Sequence, residues 1–185
     1  MKVYITYFVH GTTIDNEKGI SSGWSDAKLS ERGIKQATEL KEKVKGKKFD
    51  VIFCSDLKRT VDSAKLTWGN AVPIVRDERL RECNYGDLSG SDSKKVDEIM
   101  KKHVNEPFPN GESYKDVEKR IRSFLKDLSK NYSGKHIAVV AHRAPQLALD
   151  VIIKGKSWQQ AMKEDWRLKK AWQPGWEYIL ESQDF

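Results

Sequence analysis

Two short apolar segments, each running directly into a histidine, constrain the fold of this chain more than any other feature. Val3-Tyr4-Ile5-Thr6-Tyr7-Phe8-Val9 leads into His10-Gly11, and Ile137-Ala138-Val139-Val140-Ala141 leads into His142-Arg143. Both are rich in β-branched or aromatic residues and are bounded by polar or turn residues, which is how buried parallel strands read. In open α/β sheets, ligands bind beyond the carboxyl ends of such strands. If the two strands are neighbours, their histidines meet there.

The intervening sequence alternates between strand and helix patterns. After His10-Gly11, a polar stretch from Thr12 to Asp26 reads as a long functional loop. Ser30 is a candidate N-cap for a helix whose inward face is Ile34, Ala37, Leu40 and Val44, with Gly46 ending it. A second strand spans residues 50–55. Asp56 is placed to cap the next helix, with Leu57, Val61, Ala64 and Trp68 inward. Residues 71–75 form a short strand that Pro73 assigns to a sheet edge. Residues 80–86 read as a loop and 93–102 as a short lysine-rich helix. Ser113 with Asp116 forms a capping box for a helix burying Val117, Ile121, Phe124, Leu125 and Leu128. Pro145 suits the first turn of a helix after the second histidine. Residues 157–168 read as helical, and Pro174-Gly175 precedes a last strand at 176–180. The expectation is one domain over residues 1–185, of the α/β class with a mostly parallel sheet.

Composition narrows the partners. The formal charge is +7, from 34 basic and 27 acidic residues, and the lysines are dispersed rather than gathered in a tail. No nucleic-acid-binding motif is present, so a solvated surface or a small anionic substrate accounts for the charge. No apolar run approaches the ~20 residues of a membrane span, and the N-terminal run is too short for a secretory leader. Cys54 and Cys83 have no metal-ligand spacing and make no disulfide framework, so they read as reduced thiols of a cytoplasmic protein.

Four polar residues at strand and loop ends carry the chemistry: His10, Arg59, Glu82 and His142. A neutral imidazole can attack phosphorus and hold the phosphoryl group covalently. A second histidine and an arginine can stabilise the equatorial oxygens, and a carboxylic acid can protonate the leaving oxygen. None of this requires a metal or other cofactor. Arg59 falls in the first turn of its helix, where a cation opposes the helix dipole unless an anion binds there; a solvated arginine is the alternative. His103 and His136 read as structural.

The order of these segments resembles the histidine phosphatase superfamily, whose fold is phosphoglycerate mutase-like, from about Met1 to Leu180. The resemblance rests on Val9-His10-Gly11 and Asn16, on Gly23-Trp24-Ser25-Asp26, and on Leu29-Ser30-Glu31-Arg32-Gly33. It continues through Ser55-Asp56-Leu57-Lys58-Arg59, Leu80-Arg81-Glu82 with Gly86 and Gly90, Gly111-Glu112-Ser113, and Val139-Val140-Ala141-His142. It implies a three-layer α/β/α sandwich with a mostly parallel central sheet. It also implies that His10 is the nucleophile that becomes phosphohistidine. Arg59 and His142 would bind the phosphoryl oxygens, and Glu82 would be general acid, then base. Gly11, Asn16, Ser22 and Gly23 would surround the phosphate.

Two positions depart from the family pattern. Its arginine before the nucleophile is Val9, and the glycine usual after the second histidine is Arg143. Arg143 would either replace the missing guanidinium or point to solvent. Where phosphoglycerate mutases carry Glu-Arg-His-Tyr, this chain has Glu82-Cys83-Asn84-Tyr85. That favours hydrolysis of a small phosphate monoester over phosphoryl shuttling. The alternatives are a phosphoglycerate-type mutase and a catalytically weak member that binds a phosphorylated ligand. Residues 89–111, with Lys94, Lys95, Lys101 and Lys102, are the expected specificity segment.

Overall fold

Apolar side chains on both sides of a strand demand cover on both faces, and that requirement organises the whole chain. A computed structural model describes residues 2–169 and 175–181. The first strand, β1 (Lys2–Val9), runs into α1 (Ile14–Glu17) and β2 (Ile20–Ser21), then α2 (Glu31–Val44), β3 (Val51–Cys54), α3 (Lys58–Trp68) and β4 (Ile74–Arg76). There follow β5 (Ser91–Asp92), α4 (Ser93–Ile99), α5 (Tyr114–Asn131), β6 (His136–Ala141), α6 (Arg143–Lys154), α7 (Trp158–Lys163) and β7 (Trp176–Glu181). The main sheet has the order β4-β3-β6-β1-β7. Only β7 is antiparallel, pairing with β1.

The strands alternate strictly between two cores. Ile5, Tyr7 and Val9 of β1, with Phe53, Ile137 and Val139, join one core with α5, α6 and α7. Phe8, Ile52, Cys54, Ala138 and Val140 face the other way and pack with Leu40 and Val44 of α2 and Val61 and Ala64 of α3. This is the three-layer α/β/α arrangement. The α5 face buries all five residues read from its periodicity, and Ser113 and Asp116 close the capping box at its start. β4 lies at the sheet edge, as Pro73 required. His103 stacks on Phe108, and His136 bonds the Thr6 hydroxyl. Both cysteines are buried free thiols. Pro174 lies outside the described residues. Among those described, no helix is long and apolar enough to cross a membrane.

Four local expectations change. Ile34 is exposed, and the inward face of α2 is Gly33, Ala37, Leu40 and Val44. Gly33 takes the inward position because backbone packs there: a Cβ on it would lie 1.9 Å from the Thr12 carbonyl oxygen. Asp56 does not cap α3. Leu57 occupies the cap position, and the Asp56 carboxylate instead takes a bidentate pair from Arg81 at 2.8 and 2.5 Å. A forked charge-assisted pair outweighs a single capping bond. The stretch from Thr12 to Asp26 is not bare loop: it holds α1 and β2, and β2 pairs with β5. The helix expected over 157–168 breaks after Lys163, and a 3₁₀ turn covers Trp166–Lys169. Asp165, at the break, turns inward to an ion pair with Arg143.

Candidate active site

β1 and β6 are parallel neighbours with Val9 opposite Ala141, so the residues that follow leave the sheet at the same edge. The rings of His10 and His142 lie 5.1 Å apart. Tyr7 secures this edge: its hydroxyl donates to the His142 carbonyl at 2.6 Å and accepts the His142 N–H at 3.0 Å. The His10 Nδ1 lies 2.7 Å from the Gly11 carbonyl oxygen. A carbonyl only accepts, so Nδ1 carries the proton and the neutral ring keeps its lone pair on Nε2. Burial and the nearby Arg59 guanidinium push the His10 pKa down to about 3, against the pull of the Gly11 carbonyl. His142 is fully buried and both its ring nitrogens lack a hydrogen-bond partner among the described residues. Burial, then Arg59 and His10, hold its pKa well below the ordinary range.

The charges come from three further elements. Arg59, in the first turn of α3, is 3% exposed. It donates to the carbonyls of Ser25 (2.8 Å) and Gly23 (2.6 Å) and forms no ion pair among the described residues, although the charges of Glu82, Asp26 and Asp15 act on it. Glu82, in the loop after a 3₁₀ turn at Glu78–Leu80, sets its carboxylate against the start of α6. Its carboxylate accepts the N–H groups of Cys83 (2.9 Å), Ala144 (3.0 Å) and Arg143 (3.2 Å). The backbone carbonyl of Glu82 is held by the Trp24 indole at 2.7 Å and by Arg120 at 2.9 Å. Arg120 is itself paired with Glu112.

These groups surround a cavity of about 440 Å³. His10, Arg59 and Glu82 line it, with Asn16, Ser22, Gly23 and Arg143. Asn16 closes the capping box of α1, and the Ser22 hydroxyl bonds Asp15. His142 and Gly11 lie behind the wall. The N–H of Gly11 donates to Ser63 and its carbonyl takes His10. A Cβ on Gly11 would stand 2.4 Å from the Gly33 carbonyl oxygen, so only glycine fits. The Arg143 guanidinium is buried and held at 2.5 Å by both Asp165 and Asp97. From the 89–111 segment Ser93 reaches the cavity, while Lys94 and Lys95 of α4 and Lys101 and Lys102 after it are exposed. Arg120, Asp97 and Asp165 were not legible as site residues. Arg120 meets Glu112, which lies outside α5 and eight residues before it, and the two aspartates meet Arg143, only through the fold.

The sequence model of the histidine phosphatase superfamily (branch 1) matches residues 7–173. The chain belongs to this superfamily. Histidine phosphatase relatives of both reaction types are similar to it. Phosphoserine phosphatase 1 of Hydrogenobacter thermophilus is 32% identical over 158 residues, covering 79% of this chain and 74% of that protein. Phosphoglycerate mutase of Schizosaccharomyces pombe is 30% identical over 172 residues, covering 84% and 82%. Among solved structures, mycobacterial glucosyl-3-phosphoglycerate phosphatase in complex with VO3 superposes with a TM-score of 0.74 at 26% identity, covering 85% of each chain.

Proposed function

We propose that this histidine phosphatase superfamily member hydrolyses small phosphate monoesters through a phosphohistidine on His10, without a metal. The observation that carries the reading is the 2.7 Å bond from His10 Nδ1 to the Gly11 carbonyl, which leaves the Nε2 lone pair as the nucleophile. A pKa near 3 keeps that nitrogen unprotonated at physiological pH.

In the first step Nε2 attacks phosphorus, and the bond from phosphorus to the ester oxygen breaks. Glu82, protonated at this stage, gives its proton to the leaving oxygen. Arg59 and an N–H of His142 stabilise the charge spread over the equatorial oxygens. The unpartnered ring nitrogens of His142 fit this role, since a buried polar atom without a partner awaits one. Asn16, Ser22 and Gly23 line the pocket around the phosphoryl group, and Gly11 acts from behind it by holding the His10 ring. In the second step the Glu82 carboxylate takes a proton from water, the resulting oxygen attacks phosphorus, and the N–P bond breaks to restore neutral His10. Phosphate departs.

Cys83 supports hydrolysis over shuttling. It is buried, and its thiol faces the carbonyls of Asn84 and Glu112, so the arginine that mutases carry at this position has no charged counterpart here. The test is hydrolysis of p-nitrophenyl phosphate in EDTA by the native chain and by His10→Ala, with acid-labile phosphate trapped on the protein. Turnover and labelling that vanish together in the variant are expected. Turnover that persists in His10→Ala would overturn the assignment.

A further inference from the structure

The cavity has room for more than a phosphoryl group. Its volume of about 440 Å³ is that of roughly fifteen waters at about 30 Å³ each. What occupies the rest is decided by the charges that line it. Four arginines do so: Arg32, Arg59, Arg143 and Arg167. Arg143 is neutralised by Asp165 and Asp97, and Arg167 shares Asp97 at 3.4 Å. Arg59 keeps its charge but is buried, on the carbonyls of Gly23 and Ser25, in the place proposed for the phosphoryl oxygens. Arg32 is different. It is exposed at the cavity rim and its side chain has no hydrogen bond or ion pair with any described residue.

The position of Arg32 relative to the nucleophile is fixed by backbone contact. Its neighbour Gly33 meets the Thr12 carbonyl closely enough that no Cβ fits, and Gly11 meets Gly33 in the same way. The start of α2 is thus packed against the segment His10-Gly11-Thr12. The other polar side chain on this wall, Gln36, is already engaged: its Oε1 accepts both the N–H and the hydroxyl of Thr12 at 2.9 Å. Arg32 also falls in the first turn of a 14-residue helix, where a cation is disfavoured by the helix dipole and gains nothing locally.

We propose that Arg32 is a specificity-determining residue that binds a second anionic group, a carboxylate or a phosphate, on the leaving portion of the substrate. The preferred substrates are then phosphate monoesters with two acidic ends, one on Arg59 and the histidines and the other on Arg32. The planar guanidinium fork suits either anion in bidentate fashion. This inference rests on the reading of the cavity as the phosphoryl site.

Binding calorimetry on the full chain tests it, with His10→Ala as background so that no ligand is turned over. Two matched pairs serve as probes. Glycerol 3-phosphate against 3-phosphoglycerate adds a carboxylate, and fructose 6-phosphate against fructose 1,6-bisphosphate adds a phosphate. The readout is the affinity ratio within each pair, measured with Arg32 intact, with Arg32→Gln and with Arg32→Lys. A ratio of about 10 to 100 in at least one pair is expected with arginine, from one charge-assisted contact. It should fall to about 1 to 2 with glutamine and recover in part with lysine, and the pair that responds identifies the anion. No preference in either pair overturns the proposal, as does a preference that survives Arg32→Gln. So does equal weakening within each pair, which would assign Arg32 to the phosphoryl group itself. Binding needs no turnover, so these outcomes are separate from those of the hydrolysis assay. Absence of binding by all four ligands would remove the phosphate site, and this inference with it.

Discussion

Acidification should destabilise this protein through the paired imidazoles of His10 and His142, and the size of the effect follows from His10. An unfolded histidine titrates near 6.5, whereas burial and Arg59 bring folded His10 down to about 3. Between these values the unfolded chain binds a proton that the folded chain refuses, so stability is complete above pH ~6.5 and declines as pH falls toward 3. At pH 5 the two binding polynomials differ by about 30-fold, or about 2 kcal/mol, and at pH 7 the difference is negligible. His10 is half-buried at the cavity wall, which trims the figure to the order of 1–2 kcal/mol. The perturbation is His10→Asn, whose amide can still donate to the Gly11 carbonyl but does not titrate. Urea unfolding of both proteins at pH 7 and pH 5 reports the term, because all the carboxylates are common to the pair and burial and Arg59, the larger causes that keep His142 neutral, remain in both. The stability gap should move by about 1–2 kcal/mol in favour of the variant on going to pH 5. A gap that is the same at both pH values would refute the claim that folded His10 is held neutral, and the nucleophile assignment would lose its electrostatic support.

Three further outcomes are expected. Gly33→Ala drives a Cβ to 1.9 Å from the Thr12 carbonyl oxygen. It should cost about 1–3 kcal/mol or more, read as a fall in Tm of about 3–10 °C, with loss of phosphate affinity as the His10-Gly11-Thr12 segment shifts; an unchanged Tm would refute it. Arg143→Met leaves Asp165, whose side chain is fully buried, without its counter-charge. It should cost about 3–5 kcal/mol in urea unfolding, with part restored by adding Asp165→Asn; a wild-type midpoint would show that the pair is not formed. Val9→Arg places a guanidinium at the cavity wall beside His10. One charge-assisted bond of about 1.5–3 kcal/mol in the transition state corresponds to a rise of about tenfold or more in kcat/KM for p-nitrophenyl phosphate, and a constant or lower value would show that the new head group misses the phosphoryl site.

The sheet was legible because its signal is local and redundant. β1 and β6 are continuous apolar runs, and the alternation that sends Tyr7 to one core and Phe8 to the other is a property of any strand covered on both faces. The long amphipathic helix α5 was legible for the same reason, down to its capping box. The polar elements of two to four residues were not: α1, β2 and β5 carry no apolar run and are too short to show a period, and β2 and β5 exist only because they pair with each other. Ile34 and Asp56 illustrate a second kind of failure. Each obeys a local rule, helical spacing for one and capping propensity for the other, and each is overruled by a tertiary contact with no local trace, the Gly33 backbone packing and the Arg81 pair.

The arginines show where such reading stops in the site itself. Arg143 attracts attention because it adjoins His142, and adjacency in sequence is the only measure a sequence offers. Whether a guanidinium is available to a ligand depends instead on its counter-charges. Those of Arg143 come from Asp97 and Asp165, respectively 46 residues before it and 22 after it. Two carboxylates at 2.5 Å leave little charge to attract a phosphate, and displacing either would strand a carboxylate against the site. Arg32 offers nothing to sequence reading beyond its place in a helix-start motif, yet among the lining arginines it is the exposed one without a partner. Free charge at a ligand site is therefore a difference between neighbours that three-dimensional packing supplies. By that measure the exposed lining arginine left without a partner among the described residues is on α2, not beside the second histidine.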